Sequence, residues 1–140
     1  METLCSIEEE CFTRGTFSKE QIAFFLRSST AVSLKAQVDG EIVGFILGLI
    51  EQSGKLLVGH IYTIDVVPKY RRTGVGIRLL EEIEKNFARK DAEACVLEVR
   101  ISNLVARKLY RKQGYTELEK LDSFYAKGIH GIRLGKKLKT

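Results

Sequence analysis

Tyr70-Arg71-Arg72-Thr73-Gly74-Val75-Gly76-Ile77-Arg78-Leu79-Leu80 decides how this chain folds, because a strand pattern stops just before it and a helical period starts inside it. Upstream, Ile61, Ile64, Val66 and Val67 are β-branched strand residues that end at Pro68, while downstream Leu79, Leu80, Ile83 and Phe87 recur at helical spacing. Gly74 and Gly76 occupy the corner between them. The first turn of a helix leaves about four backbone N–H groups unpaired and carries partial positive charge. A glycine there lets a phosphate approach those donors without a Cβ in the way. Arg71, Arg72 and Arg78 add positive charge. The spacing is neither G-x-x-x-x-G-K-[ST] nor G-x-G-x-x-G, which excludes a Walker loop and a Rossmann turn.

The 140 residues, 44% of them hydrophobic, suit one domain spanning 1–140 with a core that buries roughly two-thirds of the unfolded surface. No repeat, low-complexity tract or linker divides it. Cys5, Cys11 and Cys95 are odd in number and lack metal-ligand spacing, so the sequence points to a reducing compartment and no metal. A Cys5–Cys11 bridge stays open as an alternative, and Cys95, in an apolar run, reads as core. Met1-Glu2-Thr3-Leu4-Cys5 has neither a basic region nor an apolar core, and no apolar run approaches 18 residues. A soluble, cytoplasmic protein with no membrane contact is the expectation. The net charge of +5 comes from scattered residues without aromatic interleaving, which argues for a small anionic ligand and against direct nucleic-acid binding.

From the N-terminus, Ser6 caps a short helix with Glu8, Glu9 and Glu10 in its first turn, and Ser18-Lys19-Glu20-Gln21 reads as a capping box opening a second. Phe12 and Phe17 flank the loop between them. Val32, Leu34, Ala36 and Val38 alternate with polar residues; Asp39-Gly40 is a hairpin turn, and Ile42 to Ile50 returns as a nearly continuous apolar strand. After a turn at Ser53-Gly54, Leu56, Leu57 and Val58 lead into the strand before the glycine corner. Period two places His60, Tyr62, Ile64 and Val66 on one face of it and Asp65 on the other.

The helix after the corner runs from Gly76 to Lys90. Ala94-Cys95-Val96-Leu97-Glu98-Val99-Arg100-Ile101 is a strand with one carboxylate in its apolar run, and Ser102 or Asn103 caps a helix that Gly114 closes. Asn103, Ala106 and Tyr110 share a face of that helix, so a carboxylate, a cap amide and a phenol can converge. Tyr115 to Leu121 and Ile132 to Leu138 are two closing strands joined by Asp122 to Gly128. An antiparallel meander entering a strand–helix–strand unit is an α/β layout.

Arg71 to Gly76, with Ile64-Asp65-Val66-Val67-Pro68 before it, resembles the pyrophosphate loop of GNAT-superfamily acetyltransferases, which use acetyl-CoA. Leu97-Glu98-Val99-Arg100-Ile101-Ser102-Asn103 through Leu109-Tyr110 to Gly114-Tyr115 resembles the L-E-V-R-x-S-N...L-Y...G-[FY] signature of N-terminal acetyltransferases, bacterial ribosomal-protein alanine acetyltransferases and archaeal enzymes among them. The resemblance implies a mixed, mostly antiparallel sheet flanked by helices, with a splayed parallel pair that binds CoA. Acetyl-CoA would be held by backbone near Ile64, Asp65 and Val66, by the loop Arg71, Arg72, Thr73, Gly74, Val75, Gly76 and Ile77, and by Asn103. Position by position, Glu98 becomes the general base, Tyr110 the general acid, and His60 and Tyr62 the strand residues that supply the base or hold its water.

Phe12 stands in the loop that forms one wall of the peptide groove in such enzymes, though Phe12 and Phe17 equally suit a simple staple between two helices. Tyr125, in Phe124-Tyr125-Ala126-Lys127-Gly128, matches a segment that holds the first residues of the acceptor. The implied partner is a protein or peptide N-terminus, a ribosomal protein among the candidates, with the enzyme a monomer or weak dimer. The chemistry agrees: an ammonium must lose a proton before it attacks a thioester, and a phenol with reference pKa about 10 stays protonated at neutral pH and can assist the departing thiolate. A lysine side chain or small amine as acceptor, or CoA binding without catalysis, are the alternatives; Glu98 in a salt bridge to Arg100 and Tyr110 in core packing are the structural ones.

Overall fold

The computed structural model describes residues 30–138. The helices expected before residue 29, Phe12, Phe17, Cys5 and Cys11 lie outside the described residues. Six strands, β1 (Ala31–Val38), β2 (Glu41–Ser53), β3 (Leu56–Val66), β4 (Ala94–Arg100), β5 (Thr116–Ala126) and β6 (Ile129–Lys137), form one sheet in the order β1-β2-β3-β4-β6-β5. Two helices, α1 (Val75–Arg89) and α2 (Leu104–Lys112), follow β3 and β4. Every neighbouring pair is antiparallel except β3 and β4. Asp39 and Gly40 both take positive φ, 52° and 84°, the geometry that a two-residue turn needs to match the twist of its strands.

α1 lies against one face of the sheet, with Leu79, Leu80, Ile83 and Phe87 packed on Ile46, Ile61, Cys95, Leu97 and Leu134. It sits very close: a Cβ on Gly59 of β3 would stand 2.1 Å from the Phe87 ring. Cys95 is fully buried there, as the apolar run around it implies.

Two sequence expectations change. Leu47 pairs with Thr63 but Gly48 pairs with Ile61, so Tyr62 is one residue too many for the ladder. Such a bulge inverts the alternation beyond it. Ile64 and Val66 accordingly pack against the α1-side core and do not share a face with His60. Thr63 and Asp65 turn to the His60 face, both buried, with Thr63 Oγ1 donating to Asp65 Oδ2 at 3.2 Å. Asp65 therefore does not face away from His60 and Tyr62. The second change is in the closing hairpin, where β5 continues through Phe124 and Tyr125 and turns only at Lys127-Gly128. The expected joining loop is instead a wide bulge, since β5 uses four residues between its pairs Leu121–Gly131 and Ala126–Ile129 where β6 uses one.

Candidate active site

β3 and β4 pair only at Val58–Ala94, Gly59–Cys95 and His60–Val96. Beyond His60 the two strands part, although β3 runs on to Val66 and β4 to Arg100. The gap opens between the two stretches that the sequence singled out, with the glycine corner at the end of β3 and Asn103 beyond the end of β4.

At the corner Gly74 caps α1 with φ +92°, which only glycine adopts without strain, and no side chain caps the helix start. The backbone donors of Val75, Gly76 and Ile77 are thus left for a ligand. A Cβ on Gly76 would meet only Val66 Cγ2, at 3.7 Å, so packing does not demand glycine there; open space at donor height does fit a phosphate. Arg72 is exposed with φ 63°, the Thr73 hydroxyl donates to the Tyr70 carbonyl, and Arg71 Nε donates to the Val66 carbonyl at 3.1 Å, tying the loop to the strand end. These residues fit the diphosphate of CoA.

On the lip of the gap lies a line of titratable side chains. His60 Nε2 is 2.7 Å from Glu98 Oε1, and His60 Nδ1 is 2.9 Å from Glu51 Oε1. Tyr62 donates to Glu51 Oε2, and its ring tilts over the imidazole at 4.2 Å between centroids. Arg133 Nε donates to Glu98 Oε2 at 2.9 Å, and its Nη1 to Glu119 at 2.7 Å. Register explains each contact: Glu98 stands two residues past the His60 partner Val96 on β4, Glu51 two past the His60 partner Leu49 on β2, and Arg133 directly opposite Glu98 on β6. The alternative of a Glu98 salt bridge to Arg100 is not formed: Glu98 bonds His60 and Arg133, and the Arg100 Cζ lies 5.4 Å from the Tyr125 ring centroid.

Burial pushes the Glu98 carboxyl up, but hydrogen bonds and charge from His60 and Arg133 outweigh it and hold the group below its ordinary range. Burial likewise pulls the His60 imidazolium down, and Glu98 and Glu51 together more than reverse this, leaving it above 6.5. Tyr125 is pushed up to about 12, by burial and then by the Glu98 charge, which places its ring near the same carboxylate.

Tyr110 stands apart from this line. It is 8% exposed and belongs to the α1-side core with Cys95, Leu97 and Val99, edge-on to Tyr115 at 5.7 Å, whereas Glu98 alternates to the opposite face. The two can meet only through the gap. Burial, then the neighbouring Cys95, pushes the Tyr110 phenol up to about 12, so it is protonated at neutral pH. Asn103 caps α2, its side chain accepting from Ala106 N at 3.1 Å. Glu51, Arg133 and Glu119 were not singled out from sequence. A carboxylate directly after the apolar run that ends at Ile50 was the one available signal, and it lay on Glu51.

A sheet with one parallel pair that opens beside an uncapped glycine-cornered helix is the architecture of a CoA-dependent acyltransferase. The chain belongs to the Acetyltransferase (GNAT) family, whose model matches residues 1–115. It is 38% identical over 112 residues to the N-alpha-acetyltransferase of Sulfurisphaera tokodaii, covering 74% of this chain and 67% of that one. It is 35% identical over 103 residues to an uncharacterized N-acetyltransferase of Methanocaldococcus jannaschii, covering 73% of this chain and 64% of that one. In fold it is similar to the ribosomal-protein-S18-alanine N-acetyltransferase of Escherichia coli, with TM-score 0.89 at 20% identity over 99% of this chain and 88% of that one. It is also similar to an aminoglycoside 6'-N-acetyltransferase complexed with coenzyme A, with TM-score 0.84 at 16% identity over 99% and 91%.

Proposed function

We propose that this protein transfers the acetyl group of acetyl-CoA to the α-amino group of a protein or peptide N-terminus, by direct attack of the amine on the thioester. The observation that carries the reading is the parting of β3 from β4 beyond His60, with the Glu98–His60 pair on one lip and the uncapped start of α1 at the corner. The 38% identical relative, itself an N-alpha-acetyltransferase, supports the α-amine as acceptor. When bound, acetyl-CoA supplies an activated acyl group. Val75, Gly76 and Ile77 backbone donors with Arg72 would hold its diphosphate, and the free edge of β3 near Ile64 to Val66 its pantetheine arm.

Glu98 and His60 remove the proton that an α-ammonium carries, either directly or through one water. An α-amine has a reference pKa of about 8 against about 10.4 for lysine, so a base of this modest strength serves the first better than the second. Tyr110 offers its O–H to the leaving thiolate from the other face. With the phenol at about 12 and a thiol reference of about 8.5, complete transfer is uphill by roughly 5 kcal/mol, so the hydroxyl acts chiefly by hydrogen bonding to developing charge. Tyr125 and Arg100, on the Glu98 face, line the acceptor side.

Mass spectrometry of a peptide with a free N-terminus and one internal lysine tests the reading. Acetyl on the N-terminus is expected; acetyl confined to the lysine overturns it. Gly76→Asp should abolish acetyl-CoA binding in calorimetry, since it fills the open corner and repels phosphate.

A further inference from the structure

Both ring nitrogens of His60 are occupied, Nδ1 by Glu51 at 2.9 Å and Nε2 by Glu98 at 2.7 Å. A ring nitrogen and a carboxylate oxygen come this close only with a proton between them, because two lone pairs repel. The arrangement therefore holds one proton more than a neutral imidazole supplies. It is the proton-loaded state of the group, and the form able to accept a proton from an amine has given one up.

Which proton leaves decides which nitrogen is the base. Glu98 keeps the Arg133 guanidinium as a donor even when Nε2 is bare. Glu51 has the neutral Tyr62 hydroxyl and, among the described residues, no cation but His60, so it gains most by retaining the Nδ1 proton. We propose that Glu51 is a positioning residue: it holds neutral His60 as the Nδ1–H tautomer and so leaves the Nε2 lone pair, beside the Glu98 carboxylate, to take the proton of the acceptor amine. In that step an N–H bond of the ammonium breaks and its electron pair stays on the amine nitrogen. An Nε2–H bond forms, which gives the imidazolium that the two short contacts imply, and the proton passes to water once the acetylated product leaves. Among the described residues the groups facing His60 are Glu51 from β2, Tyr62 from β3 and Glu98 from β4, with Arg133 of β6 behind Glu98 and Tyr125 of β5 beyond it. The identity of the proton donor rests on the acetyl-transfer reading; the tautomer does not.

The chain has two histidines, so 15N-labelled protein gives two imidazole spin systems. His130 is an internal reference of the opposite kind, since its Nδ1 accepts the Ser123 backbone N–H at 2.8 Å and its neutral ring carries hydrogen on Nε2. In the neutral rings His60 should be the Nδ1–H form and His130 the Nε2–H form. Glu51→Gln keeps an oxygen acceptor and loses the charge, so the tautomer should persist while the His60 midpoint falls. Glu51→Ala should convert His60 to Nε2–H and lower kcat for peptide acetylation on the order of tenfold to a hundredfold, with KM for acetyl-CoA unchanged. Wild-type His60 protonated on Nε2 when neutral, or a tautomer and midpoint untouched by both variants, overturns the proposal. A tautomer that shifts as expected in a protein that acetylates no peptide upholds the Glu51 assignment and defeats the acetyl-transfer reading instead.

Discussion

Two polar clusters lie back to back on β4, built from the same kinds of group and put to opposite uses. On the α1 face the Tyr115 hydroxyl donates to Glu84 at 2.7 Å and lies 3.2 Å from Cys95 Sγ, while Lys136 Nζ closes on the other Glu84 oxygen at 2.9 Å. On the other face Tyr62, Glu51, His60, Glu98 and Arg133 form the line at the gap. Each has phenol, carboxylate and cation. In the first, burial drives the Cys95 thiol up to about 12 and the Tyr115 phenol higher still, so neither gives up its proton near neutrality and the cluster acts as a fastener between α1, β4 and β6. In the second, the Glu51 side chain is 38% exposed and the central group is an imidazole, whose proton can be exchanged with water around neutral pH. Access to solvent and a histidine at the centre, rather than the inventory of groups, separate the proposed proton relay from a structural clasp.

Glu98→Gln should break that contrast most severely. Loss of the carboxylate on the relay side should lower kcat at pH 7 on the order of a hundredfold or more, and less at pH 9, where the α-amine arrives neutral. A deficit that does not shrink with pH would return Glu98 to a purely structural role. Tyr110→Phe comes next, because Tyr110 shares the sealed face yet is assigned chemistry through the gap. It should reduce kcat by about tenfold to a hundredfold while acetyl-CoA affinity by calorimetry and thermal stability persist, as no hydrogen bond to its hydroxyl is made among the described residues. Unchanged turnover would make it a packing residue like its neighbour.

Tyr115→Phe sharpens the other side. It strands one Glu84 oxygen in the α1 face, so denaturant unfolding should show a loss of about 1–3 kcal/mol with kcat unaffected. The smallest effect is the pH dependence of stability. His60 sits above its unfolded value of 6.5, so its stabilisation is complete below about pH 6.5 and fades as pH rises through the folded midpoint; Glu98 sits below its own, so its contribution holds above about pH 4.5 and fades on acidification. Thermal melts of His60→Gln should therefore approach the parent as pH rises past neutrality. A gap that widens instead would reverse the assigned sign.

Much of this was legible along the chain. The helix period after Gly76, the Asp39-Gly40 turn and the Asn103 cap depend on neighbours within four residues, and all stand where the pattern put them. His60 and Glu98 were also named, but on different grounds: a face of a strand and a family signature. That they touch depends on the β3–β4 register, which no local pattern carries. Glu51 and Arg133 were missed for the same reason, being diagonal and direct cross-strand neighbours set by pairing 9 and 35 residues away in sequence. The split of Tyr110 from Glu98 across the sheet escaped because helix spacing tells which residues share a helical side, and not which side of the sheet that helix covers.

Tyr62, the extra residue of β3, makes a single strand speak in two phases. Before it, every second side chain answers to proton chemistry; after it, every second side chain answers to α1 and the cofactor corner. Changes in one half are thereby insulated from the other, so acceptor chemistry at His60 and seating of Val66 against Gly76 can drift independently. Length is the exception. Adding one residue to β2 opposite Tyr62 would restore one-to-one pairing and, with the His60 half held in place, turn Thr63 and Asp65 inward among Leu79 and Ile46, which makes the relative residue count of these two strands a stricter requirement than most of their letters.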